Sequence, residues 1–154
     1  MTTDAADRGD TWIWRDRDID LDALTAMQDG TMGGFLGIRI ERFGPDSLTA
    51  SMPVDARTIQ PHGRLHGGAS VVLAETVGSI AANLVIDTRD SVGVGLEINA
   101  NHVRPAKQGR VYATATAEAL GRTTQVWSIR IRDDSDRLVC VSRFTAAVIP
   151  VSRA

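Results

Sequence analysis

Cysteine is almost absent from this chain, with Cys140 alone in 154 residues. That excludes an internal disulfide and any site built on several thiolates. Its setting, Leu138-Val139-Cys140-Val141, reads as a small core position rather than a reactive thiol. Lysine is as scarce: Lys107 stands against sixteen arginines, and arginine is the better fork for phosphate. No basic run occurs. Seventeen Lys+Arg offset nineteen Asp+Glu for a net charge of −2, and the signs are mixed along the chain, so neither nucleic acid nor a membrane surface is an expected partner. The three histidines, His62, His66 and His102, form no His-x3-His or His-Glu-x2-His pair, so zinc is not expected and no cofactor is called for. There is no G-x-S-x-G elbow and no P-loop, and Gly93-Val94-Gly95 stops short of a dinucleotide fingerprint. The longest apolar stretch, Val71 to Ile86, is broken by Glu75, Thr76, Ser79 and Asn83, and is too short and polar to span a bilayer. Met1 to Asp10 is polar and acidic, without the apolar segment of a secretory signal. A soluble cytoplasmic protein is expected.

What is present is a core. An apolar fraction of 43% in 154 residues suits a single domain, one that removes roughly 70% of the unfolded chain's surface on folding. Residues 1–11 read as a flexible tail and 12–154 as the domain. Asp20 is placed to cap a short helix carrying Leu21, Leu24 and Met27 on one face and ending near Gly30. Residues 36–42 and 48–52 alternate as strands around a Gly44-Pro45-Asp46 turn, and residues 55–63 form a loop. A helix is predicted from Gly67 to about Val85, with apolar residues on nearly every side, so something must wrap around it. Residues 92–103, 110–119, 124–132 and 138–149 then keep period two as four strands. The expected class is α+β: an antiparallel curved sheet around one long buried helix. Such a sheet leaves an edge strand that a second copy would complete, so a dimer is expected.

Glu75 is the one formally charged residue between Arg64 and Asp87. A carboxylate amid Val71, Val72, Leu73, Ala74 and Val77 costs several kcal/mol to bury unpaired. It is there because a structural partner satisfies it, or because its raised pKa is useful. Gly67-Gly68 falls where the helix begins, letting a ligand carbonyl approach the unpaired N–H groups of the first turn; a tight turn is the plainer explanation of the pair. Ser79 lies four residues after Glu75, on the same helical face, where helix packing is its ordinary role. His66 reads first as a cap or turn residue, and His102 and Arg104 as a strand-end rim facing solvent or phosphate. One carboxylate near an N–H-rich helix start suits an ester whose leaving group departs easily. A thiol, with pKa around 8.5, needs no strong general acid, so thioester hydrolysis fits and amide hydrolysis does not.

The run Gln60-Pro61-His62-Gly63-Arg64-Leu65-His66-Gly67-Gly68-Ala69-Ser70, followed by Leu73-Ala74-Glu75 and Gly78-Ser79, resembles the hotdog-fold acyl-CoA thioesterases of the phenylacetate and 4-hydroxybenzoyl-CoA type. The likeness covers about Trp14 to Ile149. Met52-Pro53-Val54-Asp55 and the stretch from Gly95 to Arg104 resemble most the branch acting on 1,4-dihydroxy-2-naphthoyl-CoA in menaquinone synthesis, and less the enterobactin-proofreading branch. The resemblance implies a hotdog fold and hydrolysis of an aromatic or hydroxyaromatic acyl-CoA. It implies Glu75 as nucleophile or general base, the Gly67 N–H and the Gln60 amide polarising the thioester carbonyl, His66 orienting it, and Ser79 positioning the water. It further implies that Gly95, His102, Val103, Arg104 and Pro105, with Ala119, Leu120, Gly121, Arg122, Thr123 and Thr124, hold coenzyme A. The active site would lie across a dimer interface, in a dimer of dimers. Ala119 replaces a histidine common in the family, and Asn83-Leu84-Val85 differs from bulkier residues near the acyl pocket. Alternatives of other classes are proofreading of acyl carrier proteins, a non-catalytic acyl-CoA sensor, for which the leader is too short and acidic, and a hotdog dehydratase.

Overall fold

The computed structural model describes residues 12–151; the tail read at residues 1–11 lies outside them. Nine elements follow in order. They are α1 (Leu21–Ala26), α2 (Met32–Phe35), β1 (Arg39–Phe43), β2 (Ser47–Pro53), α3 (Gly67–Leu84), β3 (Ser91–His102), β4 (Arg110–Leu120), β5 (Thr124–Asp133) and β6 (Leu138–Pro150). The strands form one antiparallel sheet in the order β1-β2-β4-β5-β6-β3, so β3 and β1 are its edges. Register shifts interrupt four of the five ladders, among them the one between Gly95 and Glu97. Such bulges add twist and bend a sheet, and this one curls around α3, which packs against β2 through β6.

Alternation explains how the helix sits so close. The inner face of β4 is Val111, Ala113 and Ala115, all buried, and α3 answers with Ala69, Leu73, Ala74, Val77 and Ala81. Small residues on both surfaces bring the backbones together. At Gly78 the approach leaves no room for a side chain: a Cβ there would come within 2.6 Å of the Phe144 ring. Trp14, stacked on Trp127 with centroids 6.0 Å apart, closes one side of the core. Cys140 is buried in it, and burial raises its thiol pKa.

Three expectations change. Leu36 does not begin a strand; it ends the short α2 turn, and β1 starts at Arg39. The turn tucks beneath Gln28, where a Cβ at Gly34 would lie 2.3 Å from the Gln28 carbonyl oxygen, so only a residue without a side chain fits. Asp20 does cap α1, accepting from Ala23 N–H at 2.9 Å, but Met27 falls outside the apolar face and is 70% exposed. Lastly, α3 is not enclosed all round. Within one chain Val72, Glu75, Thr76, Ser79, Ile80 and Asn83 remain half-buried along one side. No helix among the described residues is long and apolar enough to cross a membrane.

Candidate active site

The loop before α3 is drawn tight by backbone bonds. Gln60 N–H donates to the Arg64 carbonyl at 2.8 Å, Leu65 N–H to Ala106, and His66 N–H to Thr58. Gly63, at φ +70°, makes the reversal. The Gln60 side-chain carbonyl accepts from His62 N–H, which orients the amide and leaves its NH2 group to donate elsewhere.

His66 is the N-cap of α3: its Nδ1 accepts from Gly68 N–H at 2.8 Å. As an acceptor, Nδ1 carries no proton, so Nε2 is the N–H of the ring. That bond satisfies Gly68, whereas the Gly67 N–H meets no acceptor among the described residues. The first helical N–H therefore points out of the helix end, carrying the positive pole of the helix dipole. At Gly67 a Cβ would stand 2.8 Å from Nε2 of the exposed His102 side chain, which would have to move aside.

These groups face one cleft of about 310 Å3, lined by Gln60, Gly67, Ser70 and the segment 102–106, with Arg64, Leu65 and Val139. A wider cleft of about 590 Å3 adjoins it, sharing Arg104 and adding Lys107 and Arg137. Arg137 is paired with Asp133 at 2.8 Å, while Arg64, Arg104 and Lys107 hold no carboxylate among the described residues. His102, Val103, Arg104 and Pro105 are thus gathered beside Gln60 and Gly67. Ser70, nearly fully buried in the first turn of α3, belongs to the cleft wall and was not singled out in the sequence, where a helical serine carries no signal.

Glu75 lies elsewhere. It is half-buried two turns along α3, and desolvation raises its carboxyl pKa above the ordinary glutamate value. Its carboxylate rests on the β3 backbone at Gly95, where a Cβ would meet Oε1 at 2.2 Å. Gly95 is therefore a seat for Glu75. Ser79 occupies the next turn of the same face without a hydrogen bond to Glu75. Ala119 to Thr124 form the exposed β4–β5 turn, closed by Gly121 N–H to Thr124 carbonyl at 2.9 Å. Through the pairs Thr124–Ala147 and Ala147–Val94 this turn neighbours the start of β3. It lies at the opposite end of the sheet from His102.

Eight residues separate Gly67 from Glu75, about 12 Å along the helix axis. A carbonyl bound in front of the helix N-terminus lies farther still from that carboxylate. One chain therefore does not bring its own Glu75 and its own Gly67 to a single thioester.

A curved antiparallel sheet around one helix that bears a desolvated carboxylate and opens on a free N–H is the hotdog architecture, and the comparisons bear this out. The model of the thioesterase superfamily matches residues 62–140, and the chain belongs to that superfamily. It is similar to the 1,4-dihydroxy-2-naphthoyl-CoA hydrolase of Escherichia coli, 56% identical over 89% of this chain and 99% of the relative. The proofreading thioesterase EntH of Cronobacter sakazakii is 49% identical over 89% of this chain and 98% of its own. Among solved structures, a variant of a thioesterase from Pseudomonas aeruginosa superposes with a TM-score of 0.88 at 54% identity, covering 90% of this chain and 99% of that one. A thioesterase from Haemophilus influenzae gives 0.87 at 47% identity, covering 92% and 97%. The protein is a hotdog-fold thioester hydrolase.

Proposed function

We propose that this thioesterase hydrolyses an aromatic or hydroxyaromatic acyl-CoA, of the 1,4-dihydroxy-2-naphthoyl-CoA kind, at a site shared by two subunits. The observation that supports a shared site is the layout of β3. Glu75 rests on Gly95 in the first half of this edge strand, and Gly67 rests on His102 at its far end. We take a second copy to add antiparallel along β3 in the register that sets Gly95 against the partner subunit's His102. Glu75 then faces the partner subunit's Gly67.

In that arrangement the Gly67 N–H and the Gln60 amide receive the thioester oxygen, where charge develops as the carbonyl is attacked. Glu75 attacks the carbon itself or takes a proton from the attacking water; Ser79, on the same face, holds that water. Hydrolysis then splits the carbon–sulfur bond, adding hydroxyl to the acyl carbon and a proton to the thiolate. His66 keeps Gly67 in place by capping the helix, and its Nε2–H is a donor toward the substrate. The unpaired Arg64 and Arg104 suit the phosphates of coenzyme A, and the twofold also carries the partner subunit's Arg122 turn toward them. No metal or cofactor takes part in this scheme. The proposal extends to a cytoplasmic homo-oligomer in which dimers pair again, as the family resemblance implies.

The test is a survey of thiol release from benzoyl-, hydroxyphenyl-, naphthoyl- and fatty acyl-CoA esters and from an aroyl carrier protein. The highest kcat/KM is expected for the bicyclic hydroxyaromatic ester of CoA. A preference for fatty acyl-CoA or for the carrier protein contradicts the assignment.

A further inference from the structure

Asn83 stands eight residues beyond Glu75, on the face of α3 that also carries Ser79. Its side-chain amide is fully engaged. Oδ1 accepts from Gly93 N–H at 2.9 Å; Nδ2 donates to the Gly93 carbonyl at 3.0 Å and to the Ser79 carbonyl at 2.9 Å. Gly93 is free to make these bonds because it faces away from its neighbour in the sheet. Its ladder partner on β6, Val148, turns its own N–H the other way, to Thr123. Asn83 thus takes the place of a neighbouring strand at one residue of the sheet's edge. Two residues on, Gly95 lies against the Glu75 carboxylate. One helix face therefore grips successive inward-facing residues of β3 at two points.

We propose that Asn83 is a positioning residue for the thioester hydrolysis: by tying Gly93 to the last turn of α3, it holds the Gly95 segment against Glu75 and closes the edge of β3 at that point. The inference rests on Glu75 as the working carboxylate and on a second copy pairing along β3. The segment needs such a tie. It is an edge, it is followed at once by the register shift between Gly95 and Glu97, and two of its residues have no side chain to pack. With Gly93 closed, the ladder offered to a partner begins at Gly95. With Gly93 open, a slip of two residues keeps every side chain on its own face and displaces Glu75 by about 7 Å from the groups it must meet.

Steady-state kinetics on an aroyl-CoA test this with Asn83→Ala and with Asn83→Leu, which keeps the side-chain volume, alongside Glu75→Gln and with the mass of each variant measured by light scattering. In both Asn83 variants kcat should fall on the order of tenfold or more, while KM stays within about threefold, because substrate binding is kept and alignment is lost. A folded Asn83 variant of either kind with wild-type kcat overturns the inference, as does a loss confined to KM. Full activity in Glu75→Gln overturns the catalytic reading beneath it instead, whatever the Asn83 variants do.

Discussion

Glu75 is stabilised in its neutral form by the fold, since desolvation is the cause of its raised pKa and no salt bridge to it forms among the described residues. The sign of the consequence follows from which state holds the proton. Between the unfolded and folded pKa values the native protein binds the extra proton, so this group's contribution to stability is complete below the unfolded value and is lost as pH rises through the folded one. Glu75→Gln should therefore melt at a higher temperature than the wild type at neutral pH, with the gap closing below about pH 4; thermal melts at the two pH values check this. The same variant should lose a factor of about 10² to 10⁴ in kcat, the usual share of a positioned base. Gly95→Ala should lose activity too, because its methyl group meets Oε1 and drives the carboxylate from its seat. Glu75 was legible in the sequence as the one charge in an apolar helix. Asn83 was legible only as a departure from bulkier residues near the acyl pocket; its tie to Gly93 was not, because only the chain's return through β3 gives it that partner.

At the scale of elements, β2 to β6 were legible to within a residue, and β4 and β5 bury one face and so alternate cleanly, whereas β1 starts three residues later than expected and the edge strand β3 is largely exposed. The failures have one physical source. α2 is four residues long and held by a glycine beneath Gln28, a contact that no periodicity announces. The tethers between layers were equally hidden. Gln125 is fully buried on β5; its Oε1 accepts from Trp127 Nε1–H at 3.0 Å and its Nε2 donates to the Ala82 carbonyl on α3 at 3.2 Å. Gln125→Leu leaves the indole N–H without an acceptor in the core. It should lower stability by about 1–3 kcal/mol, read from urea unfolding followed by tryptophan fluorescence, with the site itself unaffected. Gly78→Ala should be destabilising for a different reason, a methyl pushed into the Phe144 ring, at about 1–3 kcal/mol.

For the whole molecule, the two edges of the sheet differ in kind. β1 is five residues long and carries Arg39, Glu41 and Arg42, the sort of short charged edge that resists further pairing. β3 is twelve residues long and leaves Val94 and Leu96 exposed, Leu96 by 66%. An edge of that length and character needs cover. In the proposed dimer a second copy supplies it and unites the two half-sites that one chain keeps about 12 Å apart along α3. A site across a dimer interface was an expectation of the family resemblance; the roughly 12 Å between Gly67 and Glu75 in one chain follows from helix rise, which motifs do not record. Mixing two inactive variants measures this most directly. Glu75→Gln and Gln60→Ala damage opposite halves, so a mixed dimer has one site with both defects and one with none. After co-refolding in equal amounts, half the dimers are mixed and aroyl-CoA hydrolysis should recover to about a quarter of the wild-type rate, given twofold symmetry. Recovery no greater than the average of the two parents would contradict a site shared between subunits.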